Sequence, residues 1–153
     1  MFTLCSHAAA QHADTRPRSF VRAVLPAQSL PDRFLPIYSA LVGHAEYPAR
    51  GLVVVHDGTA WRIWLQRVAS YGVTAPTSWV ILDEVILSAD YALENFFPPS
   101  ECSIDGESVR GLVAFASSQD ADTMSPVAEA WLVDGEVLRQ VSGDRLYCER
   151  TDC

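Results

Sequence analysis

Gly51-Leu52-Val53-Val54-Val55-His56-Asp57-Gly58-Thr59-Ala60-Trp61-Arg62-Ile63-Trp64-Leu65-Gln66 holds two runs of β-branched and aromatic residues on either side of Asp57-Gly58. Such runs pack well on a pleated, half-buried surface, and Asp-Gly is a dipeptide that a tight primed turn prefers because both residues tolerate positive φ. The stretch is therefore a β-hairpin. A two-residue loop pairs His56 with Thr59, Val54 with Trp61 and Leu52 with Ile63 on one face, which is the expected core. Val53, Val55, Arg62 and Trp64 take the other face.

The signals continue on both sides. Thr77–Leu87 is apolar on both alternating rows except at Asp83-Glu84, and reads as a central strand that is interrupted or ends at those acids, both solvated. Ser88 suits the N-cap of a short helix over Ala89–Phe97, with Leu93, Phe96 and Phe97 buried and Pro98-Pro99 as the stop. After the Asp105-Gly106 turn come a strand at Val109–Ala116 and a polar loop, Ser117–Pro126. A meander follows: Val127–Val133 turns at Asp134-Gly135 into Glu136–Val141, which turns at Gly143-Asp144 into Arg145–Arg150. Upstream, Ser19–Leu25 is a first strand, and Pro36 in a first turn with Ile37, Tyr38, Leu41 and Val42 on one face predicts a helix over Leu35–His44. Residues 1–18 lack periodicity and form a mobile arm, expected to be dispensable for folding. Residues 19–153 then make a single α+β domain: a mainly antiparallel sheet of about seven strands with two short helices.

Charge is the most informative total. Nineteen acids against eleven bases give −8. Residues 1–82 hold four acids and seven arginines (+3), and residues 83–153 hold fifteen acids and four arginines (−11). A surface of that sign repels nucleic acid and anionic lipid and attracts a basic protein partner. No apolar run approaches the ~20 residues that span a bilayer. The start carries no cationic, apolar leader, so the expected compartment is the cytoplasm. The four cysteines form no Cys-x-x-Cys pair and are expected to be reduced, with Cys148 packed as a small hydrophobe beside Leu146. Every base is arginine, which excludes chemistry that requires lysine.

The catalytic search is negative. His44-Ala45-Glu46 has the His-x-Glu spacing of zinc deaminases, but the second half of that motif, Pro-Cys-x-x-Cys, is missing. Asp83 and Glu84 are adjacent, so on a strand they point to opposite faces and cannot share a proton or a metal. Asp120-Ala121-Asp122 begins like a calcium loop without completing one. His56-Asp57 lacks a nucleophile elbow, and an Asp holding a turn is already engaged. No metal and no cofactor is expected.

What remains is the polar face of the meander. Trp131, Leu138 and Tyr147 would stand on neighbouring strands, rimmed by Glu129 and Glu149, in the arrangement of an interface hot spot. Arg62 and Trp64 make a second, weaker patch. The expected function is a non-enzymatic, acidic cytoplasmic binding protein that docks and neutralises a basic partner. In profile, though not by any motif, the chain is similar to the immunity proteins that bacteria pair with secreted toxins. The alternatives are a small hydrolase-type enzyme in which Asp83, Glu84, Asp120 and Asp122 converge, and a structural subunit of a larger assembly.

Overall fold

The computed structural model of the chain describes residues 19–26, 33–42, 49–71, 77–87, 91–116 and 127–150. The arm at 1–18, His44-Ala45-Glu46, the 117–126 loop with Asp120 and Asp122, Cys5 and Cys153 lie outside them. Twelve strands in three antiparallel sheets are described, with three short 3-10 turns and no α-helix among the described residues. Sheet A is built from β1 (Val24–Pro26), β2 (Leu35–Val42), β3 (Arg50–His56), β4 (Trp61–Ser70) and β5 (Ser78–Ile86) in the order β1-β5-β4-β3-β2. Sheets B and C share the remainder. Among these, β6 is Phe96–Phe97, β7 is Cys102–Ile104, β8 is Glu107–Ser108 and β9 is Leu112–Ala116. The last three are β10 (Val127–Asp134), β11 (Val137–Gln140) and β12 (Leu146–Cys148). Sheet B runs β11-β10-β9-β6 and sheet C runs β12-β7-β8. The antiparallel, β-rich expectation holds; the seven-strand α+β architecture does not.

Sheet B is the middle layer. Its five-residue strand β9 is buried throughout, which alternation allows only when both faces are covered. Val113 and Phe115 face sheet A and pack with Leu52, Val54, Trp61, Ile63 and Leu65. Leu112, Ala114 and Ala116 face sheet C and pack with Phe97, Cys102 and Cys148. Trp61 sits at the centre of the first interior. Its ring lies 5.3 Å from Phe115, edge-on, and its indole N–H donates to the carbonyl of Tyr91 at 2.7 Å.

The 51–66 hairpin forms, two residues out of the expected register: His56 pairs with Trp61, Val54 with Ile63 and Leu52 with Leu65. The loop is therefore four residues long, because the Asp57 carboxylate gathers the amides of Thr59 and Ala60 and the Thr59 hydroxyl, at 2.7–2.9 Å. A shift of two preserves side-chain parity, so Leu52, Val54, Trp61 and Ile63 still share the core face. The opposite face is buried as well, since Val53, Val55 and Trp64 pack with Phe34 and Ile81 beneath Phe20 and Leu25.

Both expected helices are corrected. Leu35–Val42 is the edge strand β2, paired with β3 from Leu35↔His56 to Val42↔Arg50. Proline is as well tolerated near the start of an edge strand as in a helix first turn, and a register shift between Pro36 and Tyr38 absorbs it. Tyr38, Ala40 and Val42 then point inward, while Leu41 is 67% exposed. In the second region, residues 88–90 are not described; a 3-10 turn at Leu93–Asn95 leads directly into β6. Leu93 is exposed, whereas Phe96 and Phe97 are buried as expected. They are buried in opposite interiors, which suits adjacent residues on a strand of a doubly covered sheet.

The meander is corrected at its last strand. β10 and β11 pair around Gly135-Glu136 (Asp134↔Val137, Val133↔Leu138), again offset from the expected register with parity kept. The chain then leaves sheet B. The Val141 amide donates to the Ala130 carbonyl at 2.9 Å, a 3-10 turn occupies Gly143–Arg145, and β12 pairs with β7 in sheet C. Cys148 lies opposite Cys102, and the two form a disulfide across a sequence separation of 46. The expectation of reduced thiols fails for this pair. Burial was foreseen for Cys148 and holds for both, at 4% exposed each.

One glycine is needed where sheets A and B meet. Gly111, at φ +75, immediately precedes β9, and a Cβ there would lie 3.1 Å from both Val42 and Val133. Backbone strain and overpacking act together at this position, so Gly111→Ala is expected to cost about 2–4 kcal/mol. Gly58→Ala, also at positive φ but with no neighbour within 4 Å, is expected to cost about 1 kcal/mol. Urea unfolding of the two variants checks the difference; equal losses would mean that the Gly111 contact is not tight.

Candidate functional site

The acids that were expected to end β5 instead sit inside it. Leu65 pairs with Asp83 and Gln66 with Ile81, so Leu82 is the extra residue of a β-bulge. The bulge shifts the alternation and places Ile81 and Glu84 on the same outer face of sheet A. Glu84 Oε2 accepts from Trp64 Nε1 at 2.6 Å and from Arg62 Nη1 at 3.0 Å, and its Oε1 accepts the Phe20 amide at 3.0 Å. Arg62 Nε donates to Asp57 Oδ2 at 2.8 Å. The side chains of Asp57, Arg62 and Glu84 are 7%, 3% and 2% exposed. The expectation of two solvated acids is therefore corrected for Glu84. Burial alone would raise the pKa of Asp57, but the bonds from Thr59, Arg62 and Ala60 outweigh it and hold the carboxyl well below the usual carboxylate range. Asp83 points the other way, accepting the Leu138 amide at 2.6 Å and tying sheet A to sheet B. The pair does not converge, and Arg62 and Trp64 form a buried cluster in place of a surface patch.

The five residues expected to form the docking patch are divided between two places. Trp131 is half-buried and Leu138 buried, both against the interior between sheets A and B. Trp131 Nε1 is buried there with no hydrogen-bond partner among the described residues. Glu129 accepts the Tyr91 hydroxyl at 2.7 Å at the edge of the same interior, and burial followed by this carboxylate pushes the Tyr91 pKa up to about 12. Tyr147 and Glu149 stand apart from them, on the outer layer.

That outer layer is the candidate docking face. Across sheet C, Tyr147, Ser103 and Ser108 lie side by side, while Leu146, Cys148, Cys102 and Ile104 turn inward. Tyr147 is 42% exposed beside two small serines, so its ring stands above a low surface. Its hydroxyl donates to Glu149 at 3.0 Å, a bond that raises the tyrosine pKa. The segments 99–108 and 142–150 carry five acids (Glu101, Asp105, Glu107, Asp144, Glu149) and two arginines, with Glu107 opposite Ile104 on the other row from Tyr147. Of the two arginines, Arg145 is held by Asp105 at 3.1 Å, and Arg150 lies over the Phe97 ring at 5.2 Å. These segments carry a net charge of −3, and Tyr147 stands among them on the edge strand β12. Once Cys102 and Cys148 are known to be joined, the alternation of Cys102-Ser103-Ile104 and Leu146-Tyr147-Cys148 aligns the two strands; the spacing of the cysteines does not by itself show that they pair.

Among the described residues, no group of three His, Cys, Asp or Glu side chains is placed to hold a metal ion, and no helix is long and apolar enough to cross a membrane. A shallow groove between the edge of sheet A and sheet B is lined by Tyr38, Val42, Leu52, Pro99, Arg110 and Gly111. No protein-family model matches the chain, and no curated protein or solved structure matches it either.

Proposed function

We propose that this chain is a non-enzymatic binding protein whose outermost sheet docks a basic protein partner and neutralises it, in the manner of a bacterial toxin-immunity protein. The observation that carries the reading is Tyr147, 42% exposed on three-stranded sheet C, whose strands and flanking turns carry five acids against two arginines. Tyrosine gives a large contact area at low conformational-entropy cost, and surrounding charge of one sign steers an oppositely charged partner while rejecting nucleic acid and anionic membrane. Trp131, Leu138 and Glu129 serve the fold beneath this face. The disulfide bears on the compartment, because such bonds persist in oxidising surroundings and are rare in the cytoplasm.

The oxidised chain, used as bait on extracts and culture medium of its host, is expected to capture a protein of net positive charge. Association should slow markedly between ~0.1 M and ~1 M salt as the Debye length falls from ~10 Å to ~3 Å. A captured partner that is acidic, or an on-rate indifferent to salt, would remove the electrostatic basis of the reading.

A further inference from the structure

We propose that residues 19–26 are a releasable strap over the outer face of sheet A, latched by the Glu84 carboxylate. The strap does not depend on the docking face of sheet C. It reaches sheet A through the three-residue strand β1, paired Val24↔Val80 to Pro26↔Ser78, and through a turn in which Arg22 N–H donates to the Ile81 carbonyl at 2.8 Å. In return, Ile81 N–H donates to the Ala23 carbonyl at 3.0 Å. Phe20 packs on both Phe34 and Trp64, at 5.2 and 5.7 Å, which also touch each other at 5.1 Å, with the Arg62 guanidinium 5.3 Å from its ring.

Two features make closure reversible. Arg22 holds φ +68, a left-handed conformation that non-glycine residues rarely adopt, so the closed strap carries strain that opening relieves. Beneath the strap lies an ionic cluster, Asp57–Arg62–Glu84, whose members all belong to the sheet and its β3–β4 loop. Among the described residues the strap gives that cluster one hydrogen bond, from the Phe20 amide, and when it lifts the Asp57–Arg62 and Arg62–Glu84 pairs remain while water reaches them. A purely apolar interior would have no such provision. Lifting uncovers Trp64, Val53, Val55 and Ile81 and leaves the separate interior between sheets A and B closed.

Native-state hydrogen exchange tests this in the full chain. The amides of Arg22, Ala23 and Ile81 report the strap, while those of Leu87, bonded to the Trp61 carbonyl, and Val133, bonded to that of Gly111, report the sandwich. Exchange at the first three is expected to be at least about tenfold faster than at the last two, although Ile81 and Leu87 are only six residues apart. Equal rates at all five, signifying global unfolding alone, overturn the strap. Glu84→Gln should speed the first three by a further tenfold or so, leaving Leu87 and Val133 within about twofold. Unchanged strap rates in that variant overturn the latch. Phe20→Ala, which leaves the ionic cluster intact, should give the same selective acceleration and decides the matter if Glu84→Gln fails to fold.

Discussion

Reducing the Cys102–Cys148 disulfide is expected to lower the unfolding free energy by about 4 kcal/mol. The bond closes a loop across a sequence separation of 46, and in the chain-entropy model a loop of that length removes about 4 kcal/mol of conformational freedom from the unfolded state at 25 °C. The effect is large here because β12 is three residues long and has one sheet neighbour, β7. Its remaining ties are modest: the Asp105 and Glu149 amides bond to the carbonyls of Arg145 and Glu101, and the Arg145–Asp105 ion pair is exposed. Urea unfolding with and without a dithiol reads the difference, and the denatured, unreduced chain should titrate at most two of its four cysteines as thiols. Four free thiols, or a stability difference under about 1 kcal/mol, would show that the staple is not formed.

Trp61→Ala is expected to cost about 3–5 kcal/mol. The ring is 2% exposed and is surrounded by Phe96, Phe115 and His56, so truncation leaves a cavity walled by rigid strands that cannot collapse into it. It also orphans the Tyr91 carbonyl that its indole N–H satisfies. A loss under about 1 kcal/mol in denaturant would place Trp61 away from the centre of the core. Because Trp61 and the disulfide lie in different interiors, their losses should add.

How far the fold was legible depends on what each segment's periodicity had to compete with. The 51–66 hairpin and the β10–β11 pair were readable because their alternation is strong and any even-numbered slip keeps it. The loop length was not readable, since it depends on how many donors one carboxylate, Asp57, collects. Prolines misled twice: Pro36 marks an edge strand, and Pro98-Pro99 follow a buried Phe-Phe strand end in place of a helix. The bulge at Leu82 carries no local mark, yet it decides that Glu84 is buried beside Arg62. Of the candidate site, Tyr147 and Glu149 were placed together correctly by their i, i+2 spacing. Their separation from Trp131 and Leu138 was hidden, because β12 finds its partner through a disulfide that spacing alone does not reveal.

Tyr147 is the proposed anchor of a basic partner on sheet C. The most direct test of that role is the binding kinetics of the captured partner against the wild-type chain and Tyr147→Ala. The variant is expected to dissociate about thirtyfold faster, equivalent to about 2 kcal/mol, with an on-rate changed by less than about twofold. Unaltered dissociation from Tyr147→Ala, with the fold intact, would contradict it.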